Sequence, residues 1–285
     1  MDEIDHHALA EALLPSVLDA GRIELGYLKS GVVVERKADA SPVTAADREA
    51  EAVLVAALGR IAPGIPVIAE ESNAESEAGT AAEAELTLPP AARFFLVDPL
   101  DGTRDYIAGL RDFTINVALI VDTQPVFGLI YAPARDELYV TLGGGYGAFA
   151  RVLCAEPAPR LSDVAFERLA TRPPPADGLV ALLSPWRPRE PVDRCLVPFK
   201  VQEYRTAGSS YKFCLLARGE GDVYPQPGAT SEWDTAAGQA LVESAGGTVA
   251  TLDGRPLVYG KRDVGYRNPP FLAWGLNRGL TLHPR

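Results

Sequence analysis

Residues 98–103 read Asp-Pro-Leu-Asp-Gly-Thr and carry the side chains best suited to chemistry. The apolar run before them, residues 94–97, predicts a buried strand that ends in two carboxylates. Hard cations such as Mg²⁺ take oxygen ligands, so the two carboxylates and the Leu100 carbonyl suit two neighbouring ions. Gly102 lets the backbone approach a ligand closely, and Thr103 can cap a helix or orient a water. An ordinary turn is the alternative, because Asp-Gly is also a common turn pair.

Two further acidic positions lie where a strand is expected to end or a helix to begin. Glu70-Glu71 follow a short strand predicted for residues 66–69, and ligand sites in α/β sheets gather at strand ends. Asp234 opens a helix predicted for residues 233–245, and a helix N-terminus also attracts phosphate. Each position has a plainer interpretation, as two acids on a solvated loop and as a helix N-cap.

Polar residues in three other places are weaker candidates. Thr44 and Asp47 have the Thr-x-x-Asp spacing of a helix cap, which by itself argues against a catalytic role for Asp47. Lys37 is most simply a surface residue. Residues 208–212 read Gly-Ser-Ser-Tyr-Lys, which indicates either a capped helix or a contact for an adenosine or sugar-phosphate group.

Histidine placement and net charge exclude several classes of protein. Only His6, His7 and His283 are present, all near the termini, so neither a Ser-His-Asp triad, a histidine phosphatase nor a His-ligated zinc site is expected. With 27 Lys and Arg against 38 Asp and Glu, the net charge is −11, which argues against a nucleic-acid partner. A negatively charged substrate would be repelled by this charge unless bound cations made the electrostatic potential at the site positive.

Cysteine usage and hydropathy point to a reducing compartment. Cys154, Cys195 and Cys214 are scattered and predict no disulfide framework. We identify no secretory signal and no apolar run long enough to span a bilayer, so a cytoplasmic protein is expected.

The apolar spacing predicts helices first and then a β meander. Residues 4–28 have helical spacing, in which Pro15 must start or kink a helix, and residues 47–58 form a second helix. An Ala/Glu/Ser-rich segment at 73–92 is expected to be a mobile surface excursion. Four runs then predict antiparallel strands, with a hairpin turn at the glycines of 143–147: residues 113–121, 126–131, 137–141 and 146–151.

A proline-rich stretch at 157–159 marks the expected boundary between two parts of the chain, residues 1–154 and 155–285. Beyond it, apolar runs at 179–183 and 196–204 alternate with helical segments at 209–218 and 233–245, which indicates an α/β layer. The whole is expected to be an α/β (α+β) protein. Its N-terminal part would carry most of the acidic candidates, and its C-terminal part Asp234 and the residues that select the substrate.

The motifs at Glu70-Glu71, 98–103 and 233–238, in this order, resemble those of the inositol monophosphatase superfamily of Mg²⁺-dependent, Li⁺-sensitive phosphatases. The resemblance spans nearly the whole chain. Residues 37–47, 113–120 and 208–214 are most similar to the 3′(2′),5′-bisphosphate nucleotidases of the CysQ type. The resemblance to the superfamily implies a layered αβαβα sandwich of the inositol monophosphatase and fructose-1,6-bisphosphatase type. Because family members are often dimers, a homodimer is an expectation.

The resemblance also implies two or three Mg²⁺ ions among oxygen ligands. The first ion would be bound by Glu70, Asp98 and the Leu100 carbonyl. The second would be bound by Asp98, Asp101 and Asp234. A weaker third metal, or a phosphate contact, would involve Lys37 and Glu71.

The remaining implied roles concern substrate and water. The backbone of residues 101–103 would hold the phosphate. Thr103 with Asp47 would position and deprotonate the attacking water, with Glu71 nearby in the catalytic group. The full set of implied substrate contacts is Glu70, Leu100, Asp101, Gly102, Thr103, Gly208, Ser209, Lys212 and Asp234.

The implied activity is removal of the 3′-phosphate from adenosine 3′,5′-bisphosphate, or from 3′-phosphoadenylyl sulfate, by direct transfer to water in sulfur assimilation. A phosphatase for inositol phosphate, fructose bisphosphate or another sugar phosphate is the alternative within the class. A metal-binding regulatory protein without turnover is the alternative from another class. In either enzymatic case the partner is a small phosphate monoester.

Two segments depart from the nucleotidase pattern. Gln226 stands where relatives of the CysQ type usually carry an arginine, and residues 184–187 replace a more usual Ser-Arg-Ser-His-like stretch. Both segments are candidates for contact with the non-reacting part of the substrate. Arg187 or Arg189 is a candidate substitute for the missing cation.

Overall fold

The computed structural model describes residues 4–31, 33–36, 42–77, 93–154 and 157–276 of the chain. The helices of these ranges are α1 His6–Ser30, α2 Ala45–Ile61, α3 Glu70–Glu77, α4 Thr103–Ile107, α5 Arg189–Leu196, α6 Tyr211–Ala217 and α7 Ala236–Ser244. Lys37, His283 and most of the segment predicted as a mobile excursion lie outside the described residues.

The strands follow the same order along the chain. In the N-terminal part they are β1 Val34–Arg36, β2 Pro42–Thr44, β3 Val67–Ala69, β4 Phe94–Asp101, β5 Thr114–Val121, β6 Gln124–Ala132, β7 Glu137–Thr141 and β8 Gly147–Arg151. In the C-terminal part they are β9 Glu167–Arg168, β10 Leu179–Leu183, β11 Val201–Thr206, β12 Val223–Gln226, β13 Thr230–Ser231, β14 Thr248–Thr251, β15 Arg267–Asn268 and β16 Phe271–Trp274.

The larger sheet has the order β3-β4-β5-β6-β7-β8-β9 within the described residues. Strands β3 and β4 are parallel, and β4 to β9 pair antiparallel with their neighbours. The predicted meander is therefore confirmed as β5 to β8. The glycines between β7 and β8 form the predicted hairpin turn, since Thr141 pairs with Gly147 across it. Strand β9 extends this sheet beyond residue 154, and the division of the chain at that residue stays a prediction.

The second sheet has the order β11-β10-β12-β16-β14. Its first three strands are parallel, and β16 pairs antiparallel with β12 and β14. Helices α1 and α2 pack on one face of the larger sheet, and α6 and α7 lie between the two sheets. Helix α5 covers the outer face of the second sheet. This order of layers confirms the expected αβαβα sandwich.

Alternation along β4 explains how one strand serves two cores. Phe95 and Val97 face the cluster formed with α1 and α2, whereas Phe94 and Leu96 face the cluster formed with α6 and α7. Successive side chains of a strand point to opposite faces, so an uninterrupted apolar run is what a strand between two helical layers requires.

Helix α1 confirms the helical spacing predicted for residues 4–28. Of the two alternatives at Pro15, a helix start is excluded, because α1 continues through the proline from an Asp5 N-cap; a kink there stays a prediction. Leu13 and Leu14 before the proline and Val17 and Leu18 after it are all 0–1% exposed. Their burial on both sides offsets the roughly 3 kcal/mol that an interior proline costs.

The run at 196–204 is not one strand. Leu196 ends α5, which buries Val192 and Leu196 against the second sheet, and β11 begins only at Val201. Pro198 lies between the two elements, and because a proline has no backbone N–H to donate, it cannot continue the hydrogen-bond ladder of α5.

The described part of the chain bears on the expectations about disulfides and membrane-spanning segments. All three cysteines fall within it, and all three are free thiols. Of the helices found there, none combines the length and the apolar character that a bilayer crossing needs.

Candidate active site

Three carboxylates converge at the edge where β3 and β4 end. Ala69 pairs with Val97 in the parallel ladder, so the next residues of the two strands include Glu70 and Asp98 at the same edge. Asp234, just before α7, joins them, and one carboxylate oxygen from each of the three lies within 4.8 Å of the others. Asp98 is 1% exposed, so this group is built into the protein rather than scattered over its surface.

The electrostatics of this group favour a bound cation. Burial raises the pKa of Asp234 well above its usual range, and repulsion from Asp101 and Glu70 raises it further. Burial also raises the pKa of Asp101 to about 6, although Lys212 lowers it, and Glu70 adds repulsion. Carboxylate oxygens that crowd together around the buried Asp98 match the ligands that hard divalent cations prefer, so the residues present fit a metal site.

Asp101 lies beside this group but is turned toward another element. Its Oδ2 accepts a hydrogen bond from the Ser210 amide at 2.6 Å and one from Asn116 Nδ2 at 3.5 Å. The Leu100 amide donates to Asp98 Oδ1 at 3.0 Å, and the Leu100 carbonyl accepts from Thr103 Oγ1 at 3.4 Å. The tight turn therefore ties the predicted ligands of residues 98–101 to one another.

Gly102 makes the turn from β4 into α4 feasible. Its φ of +89° lies in the left-handed region, and a Cβ at this position would meet the Ser209 Cβ at 2.9 Å. Thr103 is the first residue of α4 and lines the cavity described below. The close approach of Gly102 to Ser209 brings the start of α4 next to residues 208–212.

The segment 208–212 joins the site through two of its three predicted contacts. Ser209 and Lys212 line the cavity, whereas Gly208 does not and instead donates its amide to Asp112 Oδ2 at 3.0 Å. Lys212 is 3% exposed, and its ammonium donates to the carbonyls of Ala207 and Ser209. Burial lowers the pKa of Lys212 to about 8, against the attraction of Asp101.

Asp47 has the local structure that its spacing predicts. Thr44 caps α2, and Asp47 Oδ2 accepts from the Thr44 amide at 2.8 Å and the Thr44 hydroxyl at 2.6 Å. Asp47 is 2% exposed and is not among the cavity-lining residues of the described chain. Its catalytic role stays a prediction that rests on the resemblance.

Glu71 and Asp234 also have defined local partners. Glu71 is buried in the first turn of α3, and its amide donates to Glu51 Oε2 at 2.7 Å. Asp234 does not cap α7, because Thr235 is the N-cap residue and Asp234 Oδ2 instead accepts from the Ser231 amide at 2.8 Å. The plainer interpretation of Asp234 as a helix cap is therefore wrong.

A cavity of about 560 Å³ opens beside the carboxylates. The residues that line it include Glu70, Asp101, Gly102, Thr103 and Asp234. Sequence reasoning missed several of its residues, namely Arg104, Asp105, Tyr224, Thr230 and Thr235. Arg104 and Asp105 directly follow residues 98–103, so a longer motif would have included them. Thr230 comes from a two-residue strand that has no sequence signal of its own.

The inositol monophosphatase family model matches residues 5–282. The 3′(2′),5′-bisphosphate nucleotidase CysQ of Salmonella typhimurium is 35% identical over 243 residues, which cover 83% of this chain and 86% of that protein. The protein of the same name from Escherichia coli K12 is 34% identical over 238 residues, covering 84% and 87%.

Solved structures agree with the sequence comparison. The crystal structure of CysQ from Bacteroides thetaiotaomicron, a bacterial member of the inositol monophosphatase family, superposes with a TM-score of 0.75 at 30% identity. The superposition covers 95% of this chain and 98% of that chain. An inositol monophosphatase from Anabaena has the same fold, with a TM-score of 0.68 at 24% identity. By sequence, fold and the order of its acidic motifs, the chain belongs to the inositol monophosphatase family.

Proposed function

We propose that this protein is a divalent-cation-dependent phosphomonoesterase that removes the 3′-phosphate of adenosine 3′,5′-bisphosphate. The observation that carries the proposal is the convergence of Glu70, Asp98 and Asp234 within 4.8 Å, beside a cavity that Gly102 and Thr103 also line. The choice of substrate is supported by the relatives of 34–35% identity, which are named 3′(2′),5′-bisphosphate nucleotidases. The sulfated relative of this substrate, 3′-phosphoadenylyl sulfate, offers the same 3′-phosphate.

The proposed cofactor is Mg²⁺, as two or three ions. Glu70, Asp98 and Asp234 would hold the metal, together with the Leu100 carbonyl and Asp101 from the same turn. When bound, divalent cations neutralise charge on the phosphate oxygens and lower the pKa of a bound water. They would also offset the repulsion among these buried carboxylates and the net charge of −11, both of which oppose binding of an anion.

The chain itself would position the reactants. Phosphoryl transfer needs an attacking oxygen in line with the leaving oxygen. Thr103 lines the cavity and would orient the water through its hydroxyl, while the backbone of residues 101–103 would hold the phosphate. Asp47, fixed by Thr44, would accept the proton of the water. The water oxygen forms the new bond to phosphorus as the bond to the ribose 3′-oxygen breaks.

The decisive experiment is a phosphate-release assay with Mg²⁺ on three substrates: adenosine 3′,5′-bisphosphate, inositol 1-phosphate and fructose 1,6-bisphosphate. We expect the nucleotide to be preferred and release to be inhibited by Li⁺. Preference for either of the other two would leave the site in place but refute the proposed substrate. No Mg²⁺-dependent release from any of them would favour a regulatory protein.

A matched pair of variants tests the metal ligands. Asp98→Asn removes a carboxylate charge from the centre of the cluster and should lower kcat/KM by at least about 100-fold, since metal charge stabilisation supplies several kcal/mol. Asp253→Asn makes the same chemical change in a surface turn, where Asp253 pairs with Arg255, and should leave the rate unchanged. Near-normal turnover by Asp98→Asn would refute the assignment.

A further inference from the structure

The cavity is lined by two chemically different groups of residues. One group is the carboxylates, and the other comes from the loop that follows β10 and contains Ser184, Trp186, Arg187 and Pro188. A volume of about 560 Å³ is far more than one phosphate group needs. The residues of this loop are therefore available to the part of a substrate that does not react.

Arg187 reaches from this loop across to the loop after β12. A Cβ on Gly228 would lie 2.6 Å from Arg187 Nη1, so the guanidinium occupies the space that the missing side chain leaves. Within the described part of the chain, no carboxylate forms an ion pair with Arg187. In a protein with 38 acidic side chains, an unpaired guanidinium at a cavity wall is a ready partner for an anion.

Gln226 and Arg189, the other two positions that the sequence singles out here, do not take this part. Gln226 is neutral, and its side-chain amide already has hydrogen-bond partners nearby. It accepts a hydrogen bond from the Tyr224 hydroxyl at 3.3 Å and donates one to the Gly228 carbonyl at 3.2 Å. Arg189 points elsewhere, with its guanidinium carbon 3.7 Å from the centre of the Tyr204 ring and its Nε bonded to Asp193. Of the two arginines that the sequence leaves open, the structure selects Arg187.

Trp186 supplies an aromatic surface next to this cation. Its side chain is 45% exposed although it lines the cavity, so part of its ring stays open to a ligand. Burial raises the pKa of Asp105 in α4, and the Trp186 side chain next to its carboxyl group opposes this rise. The indole therefore lies beside α4 as well as at the cavity wall. A half-open indole is suited to stacking on a planar heterocycle.

We infer that Trp186 and Arg187 form the specificity subsite of this protein, with Trp186 stacking on a purine base and Arg187 binding a second phosphate on the same nucleoside. The inference rests on the proposed function, since it names how the same cavity selects its substrate. Asp105 acts as a positioning residue for Trp186, and Gly228 leaves the space that Arg187 needs. No bond is made or broken at this end of the cavity.

The test is calorimetric binding of adenosine 5′-monophosphate to the Mg²⁺-loaded protein, because this nucleotide has a base and a phosphate but no 3′-phosphate to react. Arg187→Gln should weaken binding about 10- to 100-fold, since a charge-assisted hydrogen-bonded pair is lost. Arg189→Gln, the matched control two residues away, should change it less than about twofold. Gly228→Ala should weaken it by pushing the Arg187 side chain aside.

Two further ligands separate the base from the phosphate. Trp186→Ala should weaken adenosine 5′-monophosphate about tenfold and leave ribose 5-phosphate unchanged, because only the former can stack. Trp186→Phe should restore much of the loss. Arg187→Gln should weaken both ligands alike, because both carry the phosphate.

The outcomes distinguish this inference from the proposed function. Equal effects of Arg187→Gln and Arg189→Gln, or equal binding of adenosine and its 5′-monophosphate by the unmodified protein, would overturn the subsite. The subsite would stand if adenosine 5′-monophosphate bound in an Arg187-dependent way but no 3′-phosphate were released from adenosine 3′,5′-bisphosphate. In that case only the proposed substrate would be refuted. Release of that phosphate at the same kcat/KM in Arg187→Gln would overturn the subsite and leave the function intact.

Discussion

The carboxyl groups that lie inside this protein differ in how the loss of their contact with water is offset. Asp222 is 3% exposed and is held by Arg172 and by the Val180 amide. Asp98 and Asp234 are gathered where a cation fits. Glu24 in α1 is 0% exposed, and within the described residues neither of its carboxyl oxygens has a hydrogen-bond partner. Among the described residues, an ionised carboxylate there would have neither access to solvent nor an ion-pair partner, so the group is expected to be neutral.

Glu24→Gln should therefore stabilise the protein, and more so at higher pH. Burial raises the pKa of Glu24 well above 4.5, and repulsion from Asp47 adds to the rise. The folded state then binds a proton that the unfolded state releases above its own pKa of about 4.5, so stability falls as pH rises through that value. We expect a gain of about 1–3 kcal/mol at pH 7 and little gain at pH 4.

Urea unfolding of both proteins at the two pH values measures this difference. Glu190→Gln on α5, where the carboxylate is exposed and pairs with Arg194, is the control and should show no such pH-dependent gain. A gain that is the same at both pH values would mean that the Glu24 carboxyl does not titrate in the expected way.

At the scale of elements, the connection from β4 to α4 depends on a glycine with two constraints. Gly102 has a φ of +89° and lies against Ser209. Gly109, just after the same helix, has a φ of +70°, and nothing lies within 4 Å of the point where a Cβ would be. A side chain would strain the backbone at either position, because both have a positive φ. Only at Gly102 would it also clash with a neighbouring residue.

Gly102→Ala should lower the free energy of unfolding by more than Gly109→Ala, by about 1 kcal/mol or more, because of the added clash. It should also reduce phosphate release strongly, since the turn carries Asp101 and Thr103 into the cavity. Gly109→Ala is expected to keep its activity. Equal losses in stability and activity for the two variants would show that the approach of Gly102 to Ser209 has no consequence.

At the scale of the whole molecule, the site is assembled from both sheets and their helices. Glu70 and Asp98 come from the larger sheet, Asp234 precedes α7 between the sheets, and Trp186 follows β10 of the second sheet. A cation held by the first three would join distant parts of the chain. Because it would bind only where they are brought together, it would stabilise the folded state alone.

Mg²⁺ should accordingly raise the melting temperature, and by more at pH 7.5 than at pH 5.5. At about 100 times its Kd a ligand adds about 2.7 kcal/mol, which corresponds to roughly 5–10 °C for a chain of this size. The pKa of Asp101 is about 6, so protons compete with the metal below that pH. Scanning calorimetry with and without Mg²⁺ measures the shift, and Asp98→Asn should lose it. A full shift in that variant would contradict the assigned ligands.

Local patterns in the sequence predicted local structure well. The Thr44–Asp47 capping box spans three residues, and the meander from β5 to β8 consists of neighbouring strands joined by tight turns. Such features depend on contacts between residues that are close in the chain. At Pro15 the sequence left open whether a helix starts or continues with a kink. The choice depends on the burial of the leucines of α1 against distant strands, which offsets the cost of the proline.

The sequence by itself determined the residue types, the order of the acidic motifs and hence the family. Only the tertiary structure decided which acids meet, because Asp234 is 136 positions from Asp98 and their contact depends on how the two sheets pack. It likewise placed Arg187, rather than Arg189, at the wall of the cavity, although the two are indistinguishable by charge. Arg187 fills the space over Gly228 in the cavity, and Arg189 lies over Tyr204 outside it. The direction of a side chain follows from the path of the backbone around it, which no short sequence window contains.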